Sequence, residues 1–501
     1  MAAKQPNIIL VTTDQQRYDA AGSAGPSFLR TPHFDTLSRE GVTFSRAYAD
    51  CPLCVPSRVS IMTGKSVFAH GMPSNGATEK VMGHRDTLPA MLRGLGYQTA
   101  AIGKMHFTPQ RCRHGFDEMV LPADYYNWMA RSGLPFQPMR HGLGQNELYP
   151  TCSTVPEALS LTNWTADQCM EYIKTRRDPT RPFFLWCSFA KPHPPLDPPE
   201  PYYSMYRNCP IPEPVLSEWS TDERAPETFK RMRQRNSYDL IPPEIIREAR
   251  AAYYGCITQI DYNLGRVLAG LQDQDMLGET LIVYTADHGE YLGDHRTGSK
   301  VFFHEPSAHI PFVVRLPKSW QDRRHGTTVS TPVTLADVLP TLVAAAGDAE
   351  AASAGRQARP VGELAGEVAA GVDGMDLIAL ARGQAPARQY LEAGGGSGRD
   401  YVAITDGRWK YMYYIEGPAE QLFDIQTDPQ ERDNLAGQPA HAAQQARLCD
   451  ELLRRQTARK SECVRDGKFV SVPPMGDSVT DRRNAAWPGY HTEHYRIDVR
   501  H

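Results

Sequence analysis

Four apolar runs of the chain each end in polar residues whose side chains could do chemistry. The runs and the residues behind them are 7-NIILVTT-13 with Asp14 and Gln15, 97-YQTAAI-102 with Lys104 and His106, 183-FFLWCSF-189 with His193, and 281-LIVYTA-286 with Asp287, His288 and, in the next loop, Lys300. One acid behind a strand is usually a helix cap or a turn residue. Four such ends in one chain indicate a common site, because ligands bind beyond the carboxyl ends of strands in open α/β sheets.

The residue types at these ends suit a divalent cation and an anionic substrate. Two carboxylates, an amide oxygen and an imidazole are ligands of hard or borderline ions. Ca²⁺ prefers oxygen, whereas the imidazole favours Mn²⁺ or a similar ion. Lysines and histidines around such an ion would make an electropositive pocket. A pocket of this kind stabilises negative charge that develops on a sulfuryl or phosphoryl oxygen.

The stretch 51-CPLCVPSRVSIMTGK-65 adds a candidate nucleophile, and the residues alone leave its role open. Cys51 and Cys54 have the spacing of a redox pair or of half a zinc site. The sequence has no second Cys-x-x-Cys and no Cys-x-x-His, which disfavours zinc, and redox chemistry would leave the acids and lysines unexplained. Alternatively, Cys54 is a thiolate nucleophile that is activated at the N-terminus of a helix.

The elements that must position these groups alternate between strands and helices. The four runs are apolar on both faces, which is typical of strands buried in a parallel sheet. Helical patterns lie between them at 34–41, at 88–96 and from Pro243 to about Leu271. We therefore predict an α/β fold in which helices sandwich a large, mostly parallel sheet.

A smaller unit follows the main domain. The segment 401-YVAITDGRWKYMYYI-415 alternates around Asp406-Gly407 and predicts a hairpin, residues 421–425 predict another strand, and 437–459 predict a helix. We therefore divide the chain into a main α/β domain that carries the candidate site (1–375), a subdomain with a small antiparallel sheet and a helix (376–460), and an irregular tail (461–501). Residues 346–372 are small and polar and predict a surface loop.

Composition narrows the classes of partner. The 501 residues carry a net charge of −4, which argues against nucleic acid as the main partner. We see no signal peptide and no span of about 18–20 apolar residues, so we expect a cytoplasmic protein with no membrane partner. The ten cysteines show no disulfide framework. The long tail suggests subunit contacts, and hence a homo-oligomer.

The segment Cys54-Val55-Pro56-Ser57-Arg58, followed by Thr63-Gly64, resembles the signature of the type I sulfatases of the alkaline phosphatase superfamily. In that family a formylglycine-generating enzyme oxidises the cysteine to formylglycine. One hydroxyl of the hydrated aldehyde attacks sulfur, and the other then expels sulfate. The resemblance implies that this chain hydrolyses a sulfate ester of a small molecule or saccharide. Cys51 lacks the downstream Pro-Ser-Arg and is expected to be only small and buried.

The resemblance extends over most of the chain. The matching segments are 7–14, 103–106, 192–193, 287–289, 292–295 with Lys300, and, in the smaller unit, 422–424, 428–429 and 434–435. The resemblance implies one divalent ion, with Ca²⁺ expected and Mn²⁺ or Mg²⁺ as alternatives. The implied ligands are Asp14, Gln15, Asp287, His288 and the modified Cys54.

The resemblance also implies roles for the cationic residues. Arg58 would brace the diol and the metal-binding carboxylates. Lys104 and Lys300 would hold the sulfate oxygens. His106 would take the proton from the second hydroxyl, and His193 would donate to the leaving oxygen, together with Lys300.

Other residues near the motifs have less specific interpretations. Asn75 lies where related enzymes place a substrate-binding asparagine. Trp128, with Tyr125 and Tyr126, could form a cation-binding wall for choline, although such clusters more often serve packing. Glu392 lies where a choline-binding carboxylate could fall. Three histidines are expected to be structural, namely His70, His295 and His304.

Two positions depart from the pattern of many sulfatases. The first metal segment has Asp14-Gln15 in place of two aspartates, and the second has Asp287-His288 in place of Asp-Asn. This combination resembles phosphonate monoester hydrolases and choline sulfatases of the same superfamily. It leaves a phosphonate monoester or phosphodiester hydrolase with promiscuous sulfatase activity as the alternative function. A non-catalytic binding protein is disfavoured, because every expected polar position is filled.

Overall fold

The structure, a computed structural model, describes residues 5–221, 223–235, 238–359, 363, 371–395 and 400–472. Its strands coincide with the β-branched and aromatic runs of the sequence. In chain order the strands are β1 (Asn7–Asp14), β2 (Val42–Phe44), β3 (Ala47–Tyr48), β4 (Gln98–Gly103), β5 (Glu118–Val120), β6 (Phe183–Pro192), β7 (Thr280–Ala286), β8 (Phe312–Arg315), β9 (Thr327–Val329), β10 (Val333–Thr334), β11 (Leu391–Gly395), β12 (Tyr401–Thr405), β13 (Trp409–Tyr414), β14 (Ala419–Asp424), β15 (Val464–Arg465) and β16 (Lys468–Phe469).

Eight of the described strands form one sheet, in the order β5-β4-β6-β1-β7-β8-β2-β9. The central strand β1 pairs in parallel with β6 on one side and with β7 on the other. Within this sheet β8 alone runs against its neighbours β7 and β2. The predicted large, mostly parallel sheet is therefore confirmed, and its central strands are the apolar runs that precede the candidate site residues.

Helices cover both faces of this sheet. In chain order they are α1 (Pro32–Glu40), α2 (Cys54–Thr63), α3 (Val67–His70), α4 (Leu88–Gly94), α5 (Pro122–Arg131), α6 (Leu161–Glu171), α7 (Tyr202–Met205), α8 (Glu227–Arg235), α9 (Pro243–Gln272), α10 (Glu305–Ala308), α11 (Val338–Gly347), α12 (Ala349–Ser353), α13 (Leu377–Ala381) and α14 (Ala442–Ala458). Their bounds agree closely with the predicted helices at 34–41, 88–96 and 243–271, and α14 begins a few residues later than predicted.

The two faces of the sheet build separate cores, because successive side chains of a strand point to opposite sides. Leu10 and Trp186 face one layer, where α2, α4 and α11 supply partners such as Leu342. Val11 and Leu185 face the other layer, which α1, α6 and α9 cover. Each side chain of this kind stabilises the fold by about 1.5–3 kcal/mol on burial. This packing holds the ends of the central strands in fixed positions.

The smaller unit is the predicted antiparallel sheet with its helix. Strands β11, β12, β13 and β14 pair in chain order, and β12 and β13 form the predicted hairpin. Leu448 and Leu452 of α14 pack on one face of this sheet. The other face, which includes Met412 and Phe423, packs on Phe303 of the main domain.

A buried charge cluster joins the two units. Lys410 Nζ on β13 lies 2.7 Å from Glu305 Oε1 and 2.7 Å from Glu431 Oε1. One ammonium cannot fully compensate two carboxylates, so the acids titrate apart. Burial raises the pKa of Glu431 to about 7, and the negative charge of Glu305 adds to this, although Lys410 opposes it.

The structure differs from the sequence predictions around the boundary between the units. Residues 349–353 of the predicted surface loop form α12, whose Ala349, Ala351 and Ala352 are buried. The remainder of that loop lies partly outside the described residues. Helix α13 packs into the main core, although the sequence division places it in the subdomain. In the tail, β15 and β16 form a short hairpin, and residues 473–501 lie outside the described residues.

Within the described residues, every helix is too short or too polar to cross a membrane. None of the ten cysteines, all of which are described, forms a disulfide.

Candidate active site

The polar residues behind four strands meet at one edge of the main sheet. Strands β4, β6, β1 and β7 are consecutive neighbours, and all four run in the same direction. Their carboxyl ends therefore lie side by side. Helix α2 begins at this edge, since Cys54 Sγ lies 3.9 Å from Asp14 Oδ1 and 3.2 Å from His288 Nε2. The predicted common site is thus assembled by the sheet and by the first turn of α2.

Gly103 gives the end of β4 the backbone conformation that places Lys104 at this edge. Its φ is 98°, a conformation that favours glycine. A Cβ on Gly103 would lie 2.0 Å from the carbonyl oxygen of Ser188 on β6. Any other residue would therefore push β4 and β6 apart and move Lys104.

Four donor atoms surround a common point. Asp14, Cys54, Asp287 and His288 are all buried, and each offers one ligand atom within 4.8 Å of the others. His288 Nε2 lies 3.7 Å from Asp287 Oδ1 and 3.9 Å from Asp14 Oδ1. His288 Nδ1 donates its proton to the Gly289 carbonyl oxygen at 3.0 Å, so in the neutral ring, the form that binds a metal, the lone pair is on Nε2. Two carboxylate oxygens and an imidazole nitrogen fit a divalent cation.

Arg58 neutralises the two carboxylates from the side away from this point. Its Nη2 lies 3.1 Å from Asp14 Oδ2 and 2.9 Å from Asp287 Oδ2, and its Nε lies 3.1 Å from the same Asp287 oxygen. Arg58 is four residues after Cys54, so both lie on the same face of α2. Each acid therefore turns Oδ2 to the guanidinium and Oδ1 to the common point.

The cations of the site control the charge of Asp14 and Cys54. Burial raises the pKa of Asp14, as does the nearby Cys54, but Lys104, His193 and Arg58 outweigh both and hold it well below its usual range. Lys104 Nζ lies 2.7 Å from Asp14 Oδ2. Burial also raises the pKa of the Cys54 thiol, yet the charges of Lys300 and Lys104 lower it far below its usual value. Position 54 therefore lies in a strongly electropositive pocket.

His193 and Lys300 form a pair at the same pocket. Lys300 Nζ lies 3.2 Å from His193 Nε2. His193 Nδ1 donates to the Pro194 carbonyl oxygen at 2.8 Å, which leaves the lone pair on Nε2. Burial and the charges of Lys104 and Lys300 lower the pKa of His193 to about 4. The geometry makes His193 an acceptor for the Lys300 ammonium. His106, whose φ is 59°, also helps to lower the pKa of Cys54.

Gln15 lies at the site, although its amide is engaged outside the four-atom cluster. Its Oε1 accepts a hydrogen bond from Lys300 Nζ at 2.5 Å, and its Nε2 donates to Glu290. Its backbone N–H donates to Asp287 Oδ1 at 3.0 Å. The Gln15 side chain therefore joins Lys300 to Glu290, and its role as a metal ligand stays a prediction.

Two residues that the sequence analysis did not name support the site. Glu290 is buried and also accepts hydrogen bonds from the backbone of Leu292 and Ser299. Ser188 Oγ accepts from Arg58 Nη1 at 3.0 Å and donates to the Lys104 carbonyl oxygen at 2.6 Å. The sequence contains a feature that could have identified each of these two residues. Glu290 completes the run Asp-His-Gly-Glu behind β7, and Ser188 is the one hydroxyl residue in the apolar run 183–189.

Asn75 contacts α2 rather than the four-atom cluster. Its Oδ1 accepts a hydrogen bond from the Val55 N–H at 3.1 Å. Leu53, which precedes the helix, has no side chain that could cap it. Asn75 therefore caps the helix from a neighbouring loop and fixes the turn that carries Cys54. Its predicted role in substrate binding stays a prediction.

The aromatic residues on α5 serve packing. Trp128 is 40% exposed, and its ring centroid lies 6.2 Å from that of Tyr125, which also packs against Trp164. Substrate binding by Trp128 stays a prediction. Glu392 faces Arg455 of α14 and Arg459, which directly follows that helix, and these two arginines pair with its oxygens.

The three histidines expected to be structural have structural contacts. His70 Nε2 lies 3.2 Å from Ser60 Oγ, and His295 Nδ1 lies 2.9 Å from Ser217 Oγ. His304 lies between Tyr291 and Gln421, with hydrogen bonds of 2.7 Å and 2.9 Å.

Comparison with known proteins agrees with this geometry. The sulfatase family model matches residues 6–348, and a model described as the C-terminal part of N-sulphoglucosamine sulphohydrolase matches residues 293–458. The chain is 31% identical over 457 residues to an arylsulfatase of Clostridium perfringens, a match that covers 86% of this chain and 90% of the other. The chain belongs to the sulfatase family.

Two further relatives bear on the substrate. A choline-sulfatase of Rhizobium meliloti is 29% identical, over 89% of this sulfatase and 86% of the relative. The solved structure of a phosphonate monoester hydrolase from Silicibacter pomeroyi superposes with a TM-score of 0.74 at 26% identity, over 91% of this chain and 96% of the other. The predicted family and its membership of the alkaline phosphatase superfamily are confirmed. This chain is accordingly a sulfuric ester hydrolase.

Proposed function

We propose that this sulfatase hydrolyses sulfate monoesters with a formylglycine at position 54 as the nucleophile. One observation carries the proposal: Cys54 Sγ lies 3.2 Å from His288 Nε2 and 3.9 Å from Asp14 Oδ1, inside the ring of Arg58, Lys104 and Lys300. In this arrangement Sγ marks the place that a hydroxyl of the hydrated aldehyde would take. The change breaks the Cβ–S bond and one Cβ–H bond, forms a Cβ=O bond and releases the sulfur as hydrogen sulfide, which is a two-electron oxidation of the side chain. It needs an oxidant such as dioxygen, which a formylglycine-generating enzyme would use during maturation.

The donor set supports one divalent ion at the common point. Asp14, Asp287 and His288 would hold it together with the modified residue 54, and Gln15 would join them if its amide turned from Lys300. Such an ion would act as a Lewis acid that lowers the pKa of the attacking hydroxyl and neutralises charge on the sulfuryl group. Ca²⁺ is the expected ion because oxygen ligands predominate, and Mn²⁺ or Mg²⁺ are the alternatives.

The cations of the site would bind the sulfate group. Three cationic side chains surround the position of Cys54, and the two carboxylates already have Arg58 as a partner. Lys104, which also contacts Asp14, and Lys300, which also contacts Gln15 and His193, would contact sulfate oxygens and stabilise the charge of the transition state. Lys104 follows β4, and Lys300 lies in the loop behind β7.

Two proton transfers can be assigned, one to the pair of Lys300 and His193 and the other to His106. His193 Nε2 carries a lone pair toward Lys300, so we assign donation to the leaving oxygen to Lys300, with His193 holding the ammonium in place. His106, which helps to lower the pKa of Cys54, would accept the proton of the second hydroxyl as sulfate leaves.

A second candidate function has one observation in its favour. The pairs Asp14-Gln15 and Asp287-His288, together with the structural match to a phosphonate monoester hydrolase, fit a phosphonate monoester or phosphodiester as the main substrate. Sulfate monoesters and phosphodiesters each carry one negative charge at the transferring group, so one pocket could serve both. The homo-oligomer and the cytoplasmic location stay predictions.

The decisive experiment produces the protein with and without a formylglycine-generating enzyme. The intact mass of the peptide that contains residue 54 is measured beside turnover of an aryl sulfate. We expect the aldehyde mass and activity to appear together. Cys54→Ala should lose activity by roughly three orders of magnitude or more, while Cys51→Ser should keep both modification and activity. Full activity with an unmodified thiol at position 54 would refute the proposed nucleophile.

A substrate panel separates the two functions. It compares kcat/KM for an aryl sulfate, choline sulfate, a sulfated monosaccharide and an aryl phosphonate monoester. A clear preference for a sulfate ester supports the leading proposal and identifies the class of leaving group. A preference for the phosphonate monoester would establish the second candidate.

A further inference from the structure

A second group of metal-ligating side chains lies outside the site at the strand ends. His84, Cys112 and His114 each offer a nitrogen or sulfur atom, and these atoms lie within 4.8 Å of one another. Cys112 Sγ lies 3.7 Å from His114 Nδ1. We propose that these three residues form a zinc site, separate from the ion expected between Asp14 and Asp287.

The donor types and distances suit Zn²⁺. One thiolate and two imidazoles are borderline-soft ligands, which favour zinc over calcium or magnesium. Zinc–sulfur and zinc–nitrogen bond lengths in a tetrahedral site place sulfur and nitrogen about 3.6 Å apart. The separation of Cys112 Sγ and His114 Nδ1 is 3.7 Å. The two imidazole rings lie 5.8 Å apart and nearly parallel, and His84 is exposed, so its ring has room to move toward the other two ligands.

The space beside His114 Nδ1 holds one ring proton, and the atoms around it would suit a metal cation better. His114 Nδ1 lies 3.3 Å from the Gly83 carbonyl oxygen, a long contact for a hydrogen bond. Cys112 Sγ and the His84 ring lie around the same nitrogen. The Asp86 carboxylate lies beside Gly83, since a Cβ there would be 2.5 Å from Asp86 Oδ1, and its charge acts on His114. Oxygen, sulfur and nitrogen lone pairs therefore converge on one point beside His114.

Thr78 allows His114 to release that proton. Its Oγ1 lies 3.1 Å from His114 Nε2 and 3.0 Å from the Thr108 carbonyl oxygen. When Nδ1 binds a metal, the ring proton moves to Nε2, and the Thr78 hydroxyl can turn its own proton to Thr108. A metal-bound histidine normally donates its other N–H in this manner. The Cys112 proton leaves to solvent when the thiolate binds.

The His114 ring is held in place and uncharged. The residue is fully buried, and its φ of 44° is one that few non-glycine residues adopt. Its carbonyl oxygen accepts a hydrogen bond from Thr87 Oγ1 at 2.6 Å, and Phe107 packs edge-on against its ring. Burial lowers the pKa of His114, so the ring is neutral, the form that binds metals.

The fourth position of the ion would take water. The site would then connect two loops of the active site. One loop carries His84 and, earlier in the chain, Asn75, which caps α2. The other carries Cys112 and, eight residues before His114, His106. A zinc ion would thus fasten together the segments that place Asn75 and His106.

The test uses the full chain with the Cys54→Ser substitution, because the thiol at position 54 could itself bind a metal. Co²⁺ replaces Zn²⁺ as a spectroscopic probe, and thiolate ligation gives a charge-transfer band in the near ultraviolet. We expect this band in the Cys54→Ser protein and its loss in the Cys54→Ser/Cys112→Ser double variant. The oxygen and nitrogen ligands at Asp14 and Asp287 give no such band. Absence of the band in the single variant, or its persistence in the double variant, would overturn the proposal.

A second measurement avoids any folding defect of the buried positions. His84→Ala changes an exposed residue, and His325→Ala is the matched control at another exposed histidine. Competition with a chromophoric chelator gives the Zn²⁺ affinity of each variant in the Cys54→Ser background. We expect His84→Ala to weaken the second zinc equivalent by about tenfold or more and His325→Ala to leave it unchanged. Equal affinities in both variants would remove His84 from the site and refute it as proposed.

Discussion

Replacing Arg58 by methionine tests whether its guanidinium stabilises two neighbouring buried carboxylates by compensating their negative charge. Met keeps much of the volume but removes the charge and the hydrogen bonds to Asp14, Asp287 and Ser188. Asp14 would retain Lys104 at 2.7 Å. Asp287 would retain only the backbone N–H of Gln15 and the His288 ring among the contacts described above.

The expected loss follows from this imbalance. Removing one partner of a buried ion pair costs about 3–5 kcal/mol, because the other charge is left uncompensated. We therefore expect Arg58→Met to lower the free energy of unfolding by about 3–5 kcal/mol in chelator-treated protein. Arg58→Lys keeps the charge but not the planar fork that reaches both acids, so it should lose about 1–3 kcal/mol. Both variants should lower kcat/KM, since the acids lose their fixed positions.

Urea denaturation followed by tryptophan fluorescence measures the stability change, with the m-value converting each midpoint shift to free energy. Arg315→Met is the matched control. Arg315 is equally buried and lies 3.1 Å from Glu40, but it pairs with the beginning of β7, the end opposite Asp287. It should lower stability and leave kcat/KM within about twofold. A loss below about 1 kcal/mol for Arg58→Met, or an unchanged kcat/KM, would refute the compensation argument.

Three further outcomes are expected. Asn75→Ala should lower the free energy of unfolding by about 1 kcal/mol and reduce kcat/KM, whereas Asn75→Asp keeps the cap; thermal melts and steady-state kinetics check both. Lys300→Met should lower kcat by about 10²–10³-fold without loss of fold, and wild-type turnover would refute its proposed role. The pKa of Glu431 beside Lys410 and Glu305 is raised from 4.5 to about 7. Between these two values the folded protein holds a proton on Glu431 that the unfolded chain releases, so the free energy of unfolding falls as pH rises from about 4.5 to about 7. The unfolding midpoint of Glu431→Gln should therefore fall less than that of wild type between about pH 5 and pH 8, and parallel profiles would contradict this.

The position of the site was accessible from sequence because parallel strands bring their carboxyl ends together. Apolar runs of six or seven residues identified β1, β4, β6 and β7, and any polar residue directly behind them had to lie at one edge. Asp14, Lys104, His193 and Asp287 satisfy this rule without knowledge of side-chain direction. Cys54 and Arg58 were found through a motif, because α2 reaches the edge from outside the sheet.

The sequence patterns did not predict the direction in which each side chain points. Gln15 directly follows Asp14, and its backbone φ of 74° turns its amide toward Lys300 and Glu290. That partnership joins the ends of β1 and the loop behind β7, which no local pattern encodes. The helix α12 was missed for a related reason. Its alanines are weak hydrophobic signals individually, and their burial depends on the core that α11 and α13 build around them.

The two oxygens of each carboxylate have different partners, and this explains how the site can bind both a cation and an anion. Asp14 and Asp287 each direct Oδ2 to Arg58 and leave Oδ1 for the common point with His288. If Arg58 contacted all four oxygens, no ligand atoms would remain for a divalent ion. If Arg58 were absent, Asp14 would keep Lys104 as its partner, but Asp287 would be left with the Gln15 N–H and the His288 ring before the ion arrives. The spacing of four residues between position 54 and Arg58 therefore places the nucleophile and the counter-charge on opposite sides of the same two acids, and a shift of α2 by one residue would lose both functions together.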